Sequence, residues 1–284
     1  MLLKPSEINL SDSHVMAIVN VTPDSFYASS RNHSLEECRQ SVERAVAEGA
    51  TIVDIGGYSS RSGAADVSLE EEWSRVRIGL EAVKSIDRGV VVSIDTFRSA
   101  IVERAFSEYG DFIANDISAG EQDEAMASVV ARCDIPYVAM HMRGDCSTMQ
   151  SLTEYEGGVV SDVKQYLLNR CEELQQRGIK RQNLIIDPGF GFAKSVEQNF
   201  ELFRGMDSLR ALGYPILVGV SRKSMIYKSL GITPEEALPG SLALAWEALR
   251  GGNAILRVHD VAQTVQVLRL ANIYNKRLLL RYVT

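Results

Sequence analysis

Eight short, apolar, β-branched runs recur along the chain: Val15–Val19, Thr51–Ile55, Val90–Ile94, Phe112–Ala114, Tyr137–Met140, Leu184–Ile186, Pro215–Val220 and Ala254–Val258. Most are continuously apolar rather than alternating. Strands buried on both faces have this pattern, which points to a parallel sheet covered by helices. Segments of helical period lie between them: Ser34–Glu48, Ser68–Ile86, Gly158–Arg177, Ser195–Leu212 and Ser241–Arg250. The first two open with Ser-Leu-Glu-Glu, a capping-box pattern. The last three stop at Gly178, Gly213 and Gly251, residues suited to a left-handed stop. Strand and helix alternating through eight strands predicts an α/β protein, a single (β/α)8 TIM barrel spanning residues 1–284. A doubly wound sheet would have fewer strands and a glycine-rich first turn, whereas the first turn here is Asn20-Val21-Thr22-Pro23-Asp24.

Barrels of this class carry their chemistry at the C-terminal ends of the strands. The predicted exits read Asn20, Asp54, Asp95, Asn115-Asp116, His141, Asp187, Ser221-Arg222-Lys223, and Arg257 with His259. Asn, Asp and Ser at such places also cap helices, which could account for any one of them. Capping does not account for Lys223, Arg257 and His259, because cations are disfavoured at helix N-termini. These donors, with Arg61 and the neutral oxygen of Asn20, suit a polyphosphate and a hard divalent cation. Asp95, Asn115 and Asp187 could read the donor edge of an aminopyrimidine, or pair structurally with nearby Lys and Arg. In Asp187-Pro188-Gly189-Phe190-Gly191-Phe192 the phenylalanines either pack inward or offer Phe190 as a cover for a flat ring.

Composition narrows the classes. Apolar residues are 45% and charged residues 24%, within the globular range. The net charge is −7, with no basic run of the kind nucleic acid requires. No apolar run approaches the roughly 18 residues of a membrane span. The opening residues carry no apolar signal-peptide region, and Cys38, Cys133, Cys146 and Cys171 form no C-x-x-C pair. A cytoplasmic protein with reduced thiols is the expectation. There is no P-loop and no G-x-S-x-G elbow, and the spacing of His141 and His259 to any cysteine fits no usual zinc pattern.

Taken in order, the motifs are distinctive. They are Asn20-Val21-Thr22-Pro23-Asp24-Ser25-Phe26, Asp54-Ile55-Gly56-Gly57, Ser93-Ile94-Asp95-Thr96, Asn115-Asp116-Ile117-Ser118 and Met140-His141-Met142-Arg143-Gly144. They continue with Asp187 to Lys194, Gly219-Val220-Ser221-Arg222-Lys223-Ser224 and Arg257-Val258-His259-Asp260. Over essentially its full length the chain resembles the dihydropteroate synthases of folate biosynthesis, transferases that are sulfonamide targets. The resemblance implies condensation of 6-hydroxymethyl-7,8-dihydropterin diphosphate with 4-aminobenzoate, using Mg2+, commonly in a homodimer. It implies a pterin set of Asp95, Asn115, Ile117, Met140, Asp187, Lys223 and Arg257. It implies Ser60, Arg61, Ser62, Phe190, Ser221 and Lys223 around aminobenzoate, and Asn20, Arg61, Arg257 and His259 around diphosphate. Asn20 is the implied metal ligand, and Arg61, Lys223, Arg257 and His259 the implied catalytic residues. A pterin-binding methyltransferase barrel and a non-catalytic pterin-binding homologue are the alternatives. Two loops depart from the family pattern, at Tyr27-Ala28-Ser29-Ser30 and Tyr58-Ser59-Ser60-Arg61-Ser62-Gly63, and Cys146 stands where proline is usual.

Overall fold

The structure is a computed structural model that describes residues 2–21, 31–58, 67–86, 88–145 and 147–281. After a short N-terminal strand, β1 (Leu2–Leu3), eight strands alternate with helices. In order they are β2 (His14–Asn20), α1 (Arg31–Glu48), β3 (Ile52–Gly56), α2 (Leu69–Lys84), β4 (Val90–Asp95), α3 (Ser99–Tyr109), β5 (Ile113–Asp116) and α4 (Met126–Cys133). The second half comprises β6 (Tyr137–Met140), α5 (Val159–Gln176), β7 (Leu184–Asp187), α6 (Val196–Arg204), α7 (Met206–Arg210), β8 (Leu217–Val218), α8 (Ser224–Leu230), α9 (Leu238–Arg250), β9 (Ile255–Val258) and α10 (Val261–Arg281).

All eight apolar runs are strands, and all their pairings are parallel, in the order β7-β6-β5-β4-β3-β2-β9-β8. A parallel bridge between Ile186 and Ile216, with Ile186 N donating to Pro215 O at 2.9 Å, closes the sheet on itself. This is the predicted (β/α)8 barrel.

The doubly apolar strands have a direct explanation. Met16, Ile52, Val91, Ile113, Val138, Ile185, Leu217 and Ile255, one from each barrel strand, point inward and form one buried layer. Leu3, Ile8 and Leu10 pack against that layer and make a floor. Neighbouring positions on the same strands, such as Ala17, Val53, Val92 and Ile186, point outward into the larger cluster shared with the helices. Strand β1 escapes sequence detection because two residues carry no periodicity. It pairs with Val90 and Val91 at the start of β4, where β5, whose register begins at Ser93, does not reach.

Helix boundaries differ from expectation at three places. Helix α1 begins at Arg31, so Ser34 is inside it and not its cap. The segment Ser195–Leu212 is split into α6 and α7 at Gly205, where an added Cβ would lie 2.6 Å from Val160. Helix α9 begins before Ser241, at Leu238, with Pro239 in its first turn. Ser68 does cap α2, accepting from Glu71 N at 3.2 Å, but the Glu71 carboxylate turns to Arg75 instead of closing the box. Among the described residues, no helix is long and apolar enough to cross a membrane.

Leu217 is fully buried in the floor layer. Leu217→Ala should cost about 2–5 kcal/mol, by lost burial plus the cavity left behind. Urea unfolding checks this: the midpoint falls while the slope is unchanged.

Candidate active site

Side chains on a strand face the same way every second residue. Counting two up from the floor layer therefore gives inward-facing Asp54 on β3, Ser93 on β4, Asn115 on β5, Met140 on β6, Asp187 on β7 and Arg257 on β9. Counting four up gives Asn20 on β2, Gly56 on β3, Asp95 on β4 and Ile117 just past β5. The polar strand exits thus share one mouth because of strand parity.

Arg257 organises its centre. Its Nε donates to Asp54 Oδ2 at 2.6 Å and its Nη2 to Asp95 Oδ2 at 2.7 Å. Asp54 is fully buried and also accepts from Ser93 Oγ at 2.5 Å and from Asn115 Nδ2 at 3.2 and 3.3 Å. Gly56 leaves room above this pair, since an added Cβ would lie 3.1 Å from Asn20 Oδ1. Burial pushes the Asp95 carboxyl up to about 7, and Arg257 only partly opposes that. Burial works against the charge on Arg257, but Asp54 and Asp95 outweigh it and hold the guanidinium firmly protonated. Burial likewise raises Asp187, against the pull of Lys223, while Asp187 Oδ1 accepts from Gly189 N at 2.7 Å. Lys223 is lowered by burial to about 8, with Asp187 opposing.

Lys223 Nζ donates to the Phe190 carbonyl and lies 4.7 Å above the centre of the Phe192 ring. This corrects the sequence expectation for Phe190. Its ring is fully buried and packs on Phe203, with centroids 5.4 Å apart, so only its backbone serves the mouth. Phe192 is the ring beside Lys223. It lies with Phe97 against an apolar wall of Ile117, Met140, Met142, Met149 and Ala193. Tyr58 meets Phe97 edge-on at 5.1 Å. Arg98 lies over both rings and donates to the buried Glu72 at 2.7 Å.

Ser221 and His259 also meet, with Ser221 Oγ 3.1 Å from His259 Nδ1 and accepting from His259 N at 3.2 Å. Their neighbour Arg222 turns outward and forms a two-pronged pair with Asp260 at 2.8 and 2.7 Å. Asp116 is held inside by Tyr137, Ser118 and Gly120, a structural role. His141 is buried against Lys194, and burial first, then Lys194, lowers its pKa to about 2. Neutral and enclosed, it is not an anion donor. Ser60, Arg61 and Ser62 lie outside the described residues, as do Thr22 to Phe26 and Cys146.

Among the described residues, no three His, Cys, Asp or Glu side chains converge as a metal cage. With Asp54 and Asp95 engaged by Arg257, Asn20 is left as a neutral oxygen near the opening. Such a donor set fits a hard cation that brings phosphate and water as its other ligands. The sequence reading missed the anchoring role of Asp54, although parity from Ile52 would have found it. It also missed Phe192 and Lys194, for which no periodic signal exists in an irregular loop.

Residues 16–259 match the family described as pterin binding enzyme. The chain is 39% identical over 265 residues to the dihydropteroate synthase of Escherichia coli strain K12, covering 93% of each. It is 41% identical over 263 residues to that of Haemophilus influenzae, covering 93% of this chain and 94% of that one. Among solved structures, Xanthomonas albilineans dihydropteroate synthase with 4-aminobenzoic acid is similar at TM-score 0.85 and 37% identity, covering 94% of this chain and 95% of that chain. The same enzyme in complex with 7,8-dihydropteroate gives TM-score 0.82 at 34% identity, covering 94% and 95%.

The raised carboxyl of Asp95 has a pH signature. A carboxyl with a folded pKa of about 7, against an ordinary 3.8, binds its proton more tightly in the native state. Its stabilising contribution is full below the ordinary value and is lost as pH rises through about 7. The unfolding free energy of the protein minus that of Asp95→Asn should therefore fall between pH 5 and pH 8, measured by urea titration at each pH. A flat difference would return Asp95 to the ordinary carboxylate range.

Proposed function

The chain belongs to the pterin-binding enzyme family, among its dihydropteroate synthases, and we propose from that premise how the mouth serves the reaction. The reaction joins 6-hydroxymethyl-7,8-dihydropterin diphosphate to 4-aminobenzoate, giving 7,8-dihydropteroate and diphosphate. The bridging of Asp54 and Asp95 by Arg257, inside a mouth lined by Asn115, Asp187 and Lys223, carries the assignment of roles.

The aryl amine is neutral at pH 7 and needs no strong base. The demanding event is rupture of the C–O bond to diphosphate, which leaves positive charge on a methylene conjugated to the dihydropterin. A dissociative step follows from this. Asp95 and Asp187 accept from the ring N–H and amino groups of the pterin and favour its cationic form, while Asn115 both donates and accepts. Ile117 and Met140 supply the apolar wall. Arg257, with N–H donors beyond those given to Asp54 and Asp95, lies against the pterin and meets the departing charge together with Asn20, Arg61 and His259. Lys223, Ser221 and Phe192 form the described side of the aminobenzoate site, joined by Ser60, Arg61 and Ser62. After the C–N bond forms, the proton on that nitrogen passes to solvent or to the released diphosphate. Asn20 would hold Mg2+ through its side-chain oxygen, and the ion would supply charge neutralisation to the leaving group.

Residues 1–284 are read as one such domain acting in the cytoplasm on small molecules, with neither membrane nor nucleic acid as partner. A homodimer is supported by exposed Leu270, Ile273 and Tyr274 on α10, beside Trp246 of α9.

Diphosphate release should require the pterin diphosphate, 4-aminobenzoate and Mg2+ together, with each omission abolishing it. Arg257→Ala should lower kcat roughly 100- to 1,000-fold, the scale of a lost charge-stabilising donor. An unchanged kcat would remove Arg257 from leaving-group stabilisation. Sedimentation equilibrium should give twice the chain mass of 31.3 kDa, and Ile273→Asp should give the single-chain mass. Sedimentation of the unsubstituted protein as a single chain would end the dimer proposal.

A further inference from the structure

The loop between β7 and α6 encloses a lysine amine that the chemistry above does not use. Lys194 is 4% exposed. Its Nζ donates to the Gly189 carbonyl and the Phe192 carbonyl, each at 2.9 Å, and lies 2.9 Å from His141 Nδ1. Burial, opposed by Asp187, pulls this lysine well below its ordinary range, so its hydrogen bonds rather than a full charge hold it in place. The loop closes tightly around it. Gly189, Gly191 and Ala193 adopt left-handed conformations, with φ of 69°, 83° and 51°. A Cβ on Gly189 would lie 1.9 Å from the His141 carbonyl, so the loop is pressed against the exit of β6. Asn199 fastens its far side, accepting from Gly191 N at 2.6 Å and donating to Lys194 O at 3.2 Å.

The same loop meets Lys223 twice, through the Phe190 carbonyl and the Phe192 ring. We propose that Lys194 is a positioning residue whose tethered amine fixes the backbone of this loop and thereby sets the Phe192 ring and Lys223 on the aminobenzoate side of the mouth. The inference rests on the aminobenzoate reading of Phe192 and Lys223. Most of the pterin side stands apart, with Asp54, Asp95 and Asn115 on strands β3, β4 and β5, while Asp187, at the end of β7, is tied to this loop only through Gly189 N.

Lys194→Met keeps the apolar stem and removes the donors. In the condensation assay it should raise KM for 4-aminobenzoate about 10-fold, the scale of a lost buried hydrogen bond or two. Affinity for dihydropterin diphosphate, titrated directly, should fall by a clearly smaller factor. In a Phe192→Leu background the same substitution should raise KM by clearly less than it does alone, because part of the hold on Lys223 runs through the Phe192 ring. His141→Leu, which removes one hydrogen-bond partner and spares the lysine, should raise the same KM by a smaller factor and serves if Lys194→Met fails to fold. An unchanged KM, equal weakening of both substrates, or full additivity with Phe192→Leu would each overturn the proposal. Failure of the unsubstituted protein to use aminobenzoate would instead sink the functional reading beneath it.

Discussion

One guanidinium between two carboxylates sets the geometry of the mouth. Arg257 comes from the last strand of the barrel, while Asp54 and Asp95 come from its second and third barrel strands. The contacts span 203 and 162 residues of sequence, so closing the barrel and assembling the site are one event. Removing one member of a buried pair strands the charge of the other, at a cost of about 3–5 kcal/mol. Ser93 and Asn115 deepen the dependence by giving their own donors to Asp54. The arrangement fixes where positive charge stands before any substrate arrives, which is the preorganisation that charge-separating chemistry needs.

Much of this was legible in the sequence for a geometric reason. Parallel strands packed on both faces are continuously apolar, so the runs mark the strands, and the polar residues ending them mark the mouth. Parity then assigns each side chain to the interior or the helix layer. Where the backbone leaves the strands, parity ends. Phe190 and Phe192 are equivalent by sequence pattern, yet left-handed turns at Gly189 and Gly191 send one ring into the core and leave the other beside Lys223. The break between α6 and α7 was equally invisible, because it depends on how closely Gly205 approaches Val160, a contact between distant segments.

The departures from the usual family motifs are more coherent than they look in a linear reading. Tyr58 does not stand alone at the exit of β3. Its ring meets Phe97 from the exit of β4, and Arg98 covers both while anchored on buried Glu72 of α2. Thr96 Oγ1 donates to the same carboxylate at 2.6 Å. Two strand exits and a helix are thereby tied together by aromatic and charged contacts beside the apolar wall.

The floor of the barrel carries a different lesson. Met16 and Asn20 are four residues apart on β2, about 13 Å at roughly 3.3 Å per residue. The floor layer nonetheless adjoins the Arg257 network in the ladder itself, where Met16 is the register partner of Arg257 and Ile113 that of Ser93. Neighbours in one ladder share backbone and packing, so their free-energy changes couple instead of adding. The lower half of each strand is therefore tied to the upper: whatever shifts the floor also shifts the register on which the charges of the mouth are held, and the two halves are constrained to change together.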